Sequence, residues 1–114
     1  MAFLFESLEV YRKAIAFADE ISGLTEGFSK GSYYLADQLN RAALSISTNI
    51  AEGSGRYGKP DRKNFFRISR GSAFERIPIL ELCKRKKLIG EEKHKALKEN
   101  LDEMRKMPSG FMNY

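Results

Sequence analysis

The chain has little of what usually announces chemistry. Among its 114 residues there is one cysteine, Cys83, and one histidine, His94. A single cysteine excludes an intrachain disulfide framework. A single histidine excludes the paired Glu-x-x-His motifs that di-metal sites in helical bundles require. No run approaches the roughly 18 apolar residues needed to cross a bilayer, so no membrane partner is expected. No segment alternates with period two for long enough to be a strand, and neither internal repeats nor low-complexity tracts occur. The start, Met1-Ala2-Phe3-Leu4-Phe5-Glu6, lacks the basic and long apolar regions of a secretory leader. A cytoplasmic location is therefore the expectation, and nothing implies a cofactor.

What is present is helical periodicity. Val10, Ala14, Phe17, Ile21 and Leu24 recur at steps of four and three, which places them on one face of a helix from about Ser7 to Glu26. Leu8, Tyr11, Ile15 and Ala18 widen that apolar arc. Ser32 is a candidate N-cap for a second helix, about Tyr33 to Glu52. The seam of that helix reads Leu35, Leu39, Ala42, Ile46 and then turns polar at Asn49 before Gly53. An asparagine in such a seam can fix register or hold a partner helix. A third helix, about Pro60 to Lys87, should be kinked by Pro78. Phe65, Ile68, Ile79, Leu82 and Cys83 form its apolar side, with Leu80 on the flank. The fourth, about Gly90 to Met107, has the narrow seam Leu97, Leu101, Met104. Its flanks carry the pairs Glu91/Lys95, Lys95/Glu99, Lys98/Asp102 and Asp102/Lys106. Short connections make neighbouring helices antiparallel. The expected fold is all-α, an up-down-up-down antiparallel four-helix bundle forming a single domain over residues 1–114.

The net charge of +5 is unevenly placed: residues 59–87 hold ten Lys or Arg against three acids, whereas residues 1–30 hold three against five. Segregation of this kind suits a polyanionic partner, nucleic acid above all, although a solvated helix face would look alike. Lys63, Arg67, Arg70, Phe74 and Arg85 make a stripe with an aromatic at its middle. Such a stripe can hold phosphates with Phe74 stacked on a base, form a subunit interface anchored by Phe74, or simply face water. Lys84-Arg85-Lys86-Lys87 circles a helix end, so not all four can be buried.

Other motifs lead less far. Gly53-Ser54-Gly55-Arg56-Tyr57-Gly58 has the G-x-G-x-x-G spacing, but a helix precedes it where dinucleotide binding needs a strand. Gly53 or Gly55 is read as a helix C-cap. Asn49, Glu52, Ser72 and Glu75 can converge between the second and third helices. A hydrogen-bonded structural layer, with Arg76 or Arg41 neutralising a carboxylate, explains them better than acid/base or metal chemistry. Cys83 is expected in the core and His94 at the surface.

Three strings carry a resemblance: Leu8-x-Val10-Tyr11-x-x-Ala14, Gln38-Leu39-x-Arg41-Ala42-Ala43-x-Ser45-Ile46-x-x-Asn49-Ile50-Ala51-Glu52-Gly53, and Arg70-Gly71-Ser72-Ala73-x-Glu75. Over about residues 3–89 the chain resembles the four-helix-bundle proteins encoded in intervening sequences of bacterial 23S ribosomal RNA genes. That superfamily is similar to the accessory variability proteins of diversity-generating retroelements, which form pentameric rings and bind nucleic acid and a reverse transcriptase. The resemblance implies a bacterial, pentameric bundle and no defined reaction. Arg76 and Pro108 depart from the family pattern.

Together, charge and resemblance lead to a non-enzymatic homo-oligomer that binds nucleic acid, RNA in preference. The residues expected to contact it are Arg56, Lys59, Arg62, Lys63, Arg67, Arg70, Lys84, Arg85, Lys86 and Lys87. The alternative is a scaffold for a protein such as a reverse transcriptase, without nucleic-acid contact.

Overall fold

The computed structural model describes residues 3–54 and 59–107; the side chains of residues 4, 54, 59–63, 65, 66, 69, 70 and 72–74 are outside the described set. Among the described residues four α-helices follow in order: α1 (Glu9–Thr25), α2 (Tyr33–Ser54), α3 (Lys59–Arg85) and α4 (Glu91–Lys106). Short 3-10 turns, Leu4–Ser7 and Lys30–Ser32, lead into α1 and α2. Ser32 thus closes a 3-10 turn. The described residues form no strand.

The expected seams close on one another. Val10, Ala14, Phe17 and Ile21 of α1 are buried with Leu35, Leu39, Ala42, Ala43, Ile46 and Ile50 of α2. Leu80 and Cys83 of α3 and Leu97, Leu101 and Met104 of α4 complete the core. Fully burying one such leucine contributes about 1.5–3 kcal/mol, so this seam is the main source of stability. Each helix packs on its chain neighbours, and α1 also packs on α4, closing the ring. Lys13 donates to Glu103 at 2.7 Å and Lys93 to Glu20 at 3.2 Å. Numbering rises along α1 as it falls along α4, so the two run antiparallel. The bundle is elongated, 44 × 27 × 19 Å, as the 27 residues of α3 require at 1.5 Å each.

Several expectations shift. Gly53 does not end α2; it is a buried residue within it, one before the terminus. Gly55 lies outside the described residues. Pro60 falls in the first turn of α3 as expected, and the helix runs on through Pro78. Leu80 belongs to the core, whereas Leu82 and Ile68 are exposed, as is Ile15 of α1. In the second half of α3 the buried side is therefore centred on Leu80 and Cys83, with Ile77 and Ile79 packed against the core.

Candidate nucleic-acid interface

The basic end of α3 is built by a specific helix stop. Lys87 N–H donates to Lys84 C=O at 3.0 Å and Leu88 N–H to Cys83 C=O at 2.9 Å. These are the paired bonds of a Schellman motif, which needs a left-handed residue at its turn. Glycine usually fills that position; here it is Lys87, with φ of 61°. A side chain in this conformation costs about 1–2 kcal/mol. Leu88 packs on the core beyond the stop and Ile89 is buried, so the turn is pinned from its far side. Lys86 and Lys87 project from it, exposed and without an ion pair among the described residues.

Their neighbours are partly committed. Arg85 Nε donates to Glu81 Oε2 at 3.2 Å, and Lys84 Nζ lies 3.9 Å from Glu91 Oε1. The Arg85 hydrogen bond holds the Glu81 carboxyl below its usual range, against a smaller opposing effect of burial. Of the expected cluster, Arg67 is exposed and unpaired among the described residues, while Lys84 is half-buried. Arg56 lies outside the described residues, as do the side chains of Lys59, Arg62, Lys63, Arg70 and Phe74.

Of the four residues expected to form a polar layer, three have described side chains. Asn49 Nδ2 donates to Ser45 C=O of its own helix at 2.8 Å. Glu52 and Glu75 are exposed, and the Ser72 side chain lies outside the described residues. Water solvates a carboxylate better than a helix interface does, which keeps both glutamates at the surface. Arg76 does approach Glu75, at 3.6 Å, although its buried Nε has no hydrogen-bond partner. Arg41 pairs with Asp37 at 3.1 Å. The polar contact between helices falls elsewhere. Thr25 Oγ1, at the end of α1, donates to Ile21 C=O and accepts from Asn40 Nδ2 of α2, both at 2.8 Å.

His94 also departs from expectation: it is buried, 5% exposed. It sits three residues before Leu97 and continues the seam 94-97-101-104, a spacing that could have revealed it. Its Nε2 has no hydrogen-bond partner and stands 3.7 Å from Glu81 Oε1. Cys83 is a core residue whose thiol is pushed up by burial, which makes it a poor nucleophile. Among the described residues, no three His, Cys, Asp or Glu side chains converge to hold a metal. No described helix is long and apolar enough to cross a membrane.

The family model described as 23S rRNA-intervening sequence protein matches residues 6–110. The chain belongs to that family. The match runs beyond the first three helices and spans Arg76 and Pro108. A crystal structure from Bacteroides thetaiotaomicron, of a protein with unknown function from the S23 ribosomal protein family, has the same fold. It superposes with a TM-score of 0.81 at 24% identity, covering 92% of this chain and 96% of that one. Among curated proteins no relative matches. Membership in the 23S rRNA-intervening sequence family thus fixes architecture, and activity has to be argued from the surface.

Proposed function

We propose that this member of the family is a non-enzymatic, homo-oligomeric helical protein that binds RNA through phosphate contacts at the basic end of α3. The observation that carries the reading is the pair Lys86 and Lys87, exposed, unpaired among the described residues, and presented by a helix stop in which Lys87 occupies a glycine's conformation. A cation held, as Lys87 is, at a cost to the backbone is better explained by a polyanion than by folding. Arg67 extends the exposed positive charge along the same helix. Self-assembly is supported by exposed apolar side chains: Tyr33, Tyr34 and Leu44 on α2, Ile68 and Leu82 on α3.

Fluorescence anisotropy with a labelled single-stranded RNA, titrated against salt, tests it. Each phosphate contact steepens the log–log slope by about 0.7. Lys86→Glu with Lys87→Glu should therefore flatten it by about 1.4. Absent or salt-indifferent binding rejects the reading. The scaffold alternative, favoured by the same exposed Tyr33, Tyr34 and Leu44, would then remain.

A further inference from the structure

A cleft of 530 Å³ lies between the second half of α3 and α4, beside the basic end just described. Ile77 gives it an apolar wall; Glu81 and Lys84 line it from α3, and His94, Lys95 and Lys98 from α4, together with the carboxylates of Glu91, Glu99 and Asp102. Its size falls within the range of small-molecule sites, about 300–1,000 Å³. Lys84 belongs both to this lining and to the cationic helix end, so the two features are continuous.

Two observations mark the cleft as more than a surface fold. The first is His94, whose side chain is 7% exposed and whose buried Nε2 has no hydrogen-bond partner. Leaving a buried polar atom unpaired is a standing cost to folding. A leucine would continue the seam of Leu97, Leu101 and Met104 without that cost. The second is the state of the lysines. Asp102 is taken by Lys106 at 3.0 Å and by Arg105 at 2.9 Å, and Glu91 by Lys84. Of the four pairs expected along α4 only Asp102–Lys106 is formed, which leaves Lys95 and Lys98 without a carboxylate among the described residues.

The geometry points to this cleft as a nucleotide subsite, in which His94 Nε2 and the Glu81 carboxylate read a base edge while Lys95 and Lys98 hold its phosphate. The inference rests on the RNA reading above and names where an unstacked base of that RNA goes. Single-stranded RNA is recognised through such splayed bases, hydrogen-bonded on their Watson–Crick edges. Glu81 accepts only, with Oε2 already accepting from Arg85, so its remaining acceptor capacity needs a base that turns donors toward it, and an imidazole N–H needs an acceptor alongside. Guanine offers this arrangement, with N1–H and the exocyclic amine next to O6. An analogue without those donors leaves the carboxylate and imidazole unmatched, and mismatch of buried polar groups is the stronger source of selectivity.

The single histidine makes the test direct, because every imidazole signal in the ¹⁵N-labelled full chain belongs to His94. Millimolar GMP, AMP, CMP, UMP and inorganic phosphate are each titrated while that ring is followed by NMR. GMP is expected to shift Nε2 saturably and to bind most tightly of the four. Glu81→Gln, at a half-exposed position that should leave folding intact, is expected to weaken GMP about tenfold, the loss of one charge-assisted hydrogen bond. Lys98→Glu should weaken all four nucleotides alike. No GMP shift, equal binding of the four, or the same shift from phosphate alone overturns the subsite. The two ideas fail separately. RNA binding that is steep in salt but indifferent to Glu81→Gln removes the cleft and leaves the RNA reading. A GMP shift with no RNA binding removes the RNA reading and leaves a mononucleotide site.

Discussion

Thr25 and His94 are polar side chains buried to nearly the same degree, 6% and 5% exposed. The antiparallel course of α1 and α4 brings them to the same end of the bundle. There the likeness stops. Thr25 Oγ1 is fully engaged, donating within α1 and accepting from Asn40 of α2. Asn40 is engaged as well, since its Nδ2 also donates to Ala36 C=O at 2.8 Å. His94 Nε2 has no such partner. A satisfied buried polar group acts as a fastening between elements, whereas an unsatisfied one needs another explanation. One end of the molecule therefore holds both a structural polar contact and a corner that folding alone would have built differently.

The strongest way to break this contrast is to make both sites apolar. Thr25→Val removes the hydroxyl that joins α1 to α2 and leaves Asn40 one bond short, for an expected loss of about 1–2 kcal/mol in chemical denaturation. His94→Leu should do the opposite, leaving stability unchanged or raising it by up to about 1–2 kcal/mol, because an unpaired buried atom disappears. If His94→Leu costs as much as Thr25→Val, the imidazole is a fastening too and the contrast fails.

Lys87→Gly sharpens it at the neighbouring stop of α3. Glycine adopts φ of 61° without a steric penalty. Stability should rise by roughly 0.5–1 kcal/mol, offset in part by the freer unfolded chain. RNA affinity should fall at the same time, with a shallower salt slope. A variant that is more stable but binds as well as the parent would detach the strained lysine from function.

These features differ in how far the sequence disclosed them. The apolar seams were legible because a buried stripe imposes the 3.6-residue period on the chain itself, as Leu35, Leu39, Ala42 and Ile46 do. The cationic character of α3 was legible too, since it is a count along the chain. His94 was misplaced because its charged neighbours suggested a surface, although its spacing from Leu97 fitted the seam. The Thr25–Asn40 contact depends on how two helices meet across a turn, and no local pattern records that. Lysine carries no signal for the left-handed conformation, so the helix was expected to include Lys87.

The smallest effect concerns acid, and it separates the two regions by chemistry. No titrating group takes part in the Thr25–Asn40 contact, so the cost of Thr25→Val should be the same at neutral pH and near pH 3. Glu81 behaves differently, because its bond to Arg85 holds the folded carboxyl below its usual value of 4.5. A carboxyl depressed in the folded state adds stability that is fully present above its unfolded pKa. That contribution is lost as pH falls through the folded value. Glu81→Gln should therefore be slightly destabilising at pH 7, and its cost should shrink toward pH 3 as the parent carboxyl begins to take up its proton. Urea denaturation of both variants at the two pH values measures the difference. An equal cost at both would mean that the carboxyl contributes through packing, and the charge assigned to it in the cleft would lose its support.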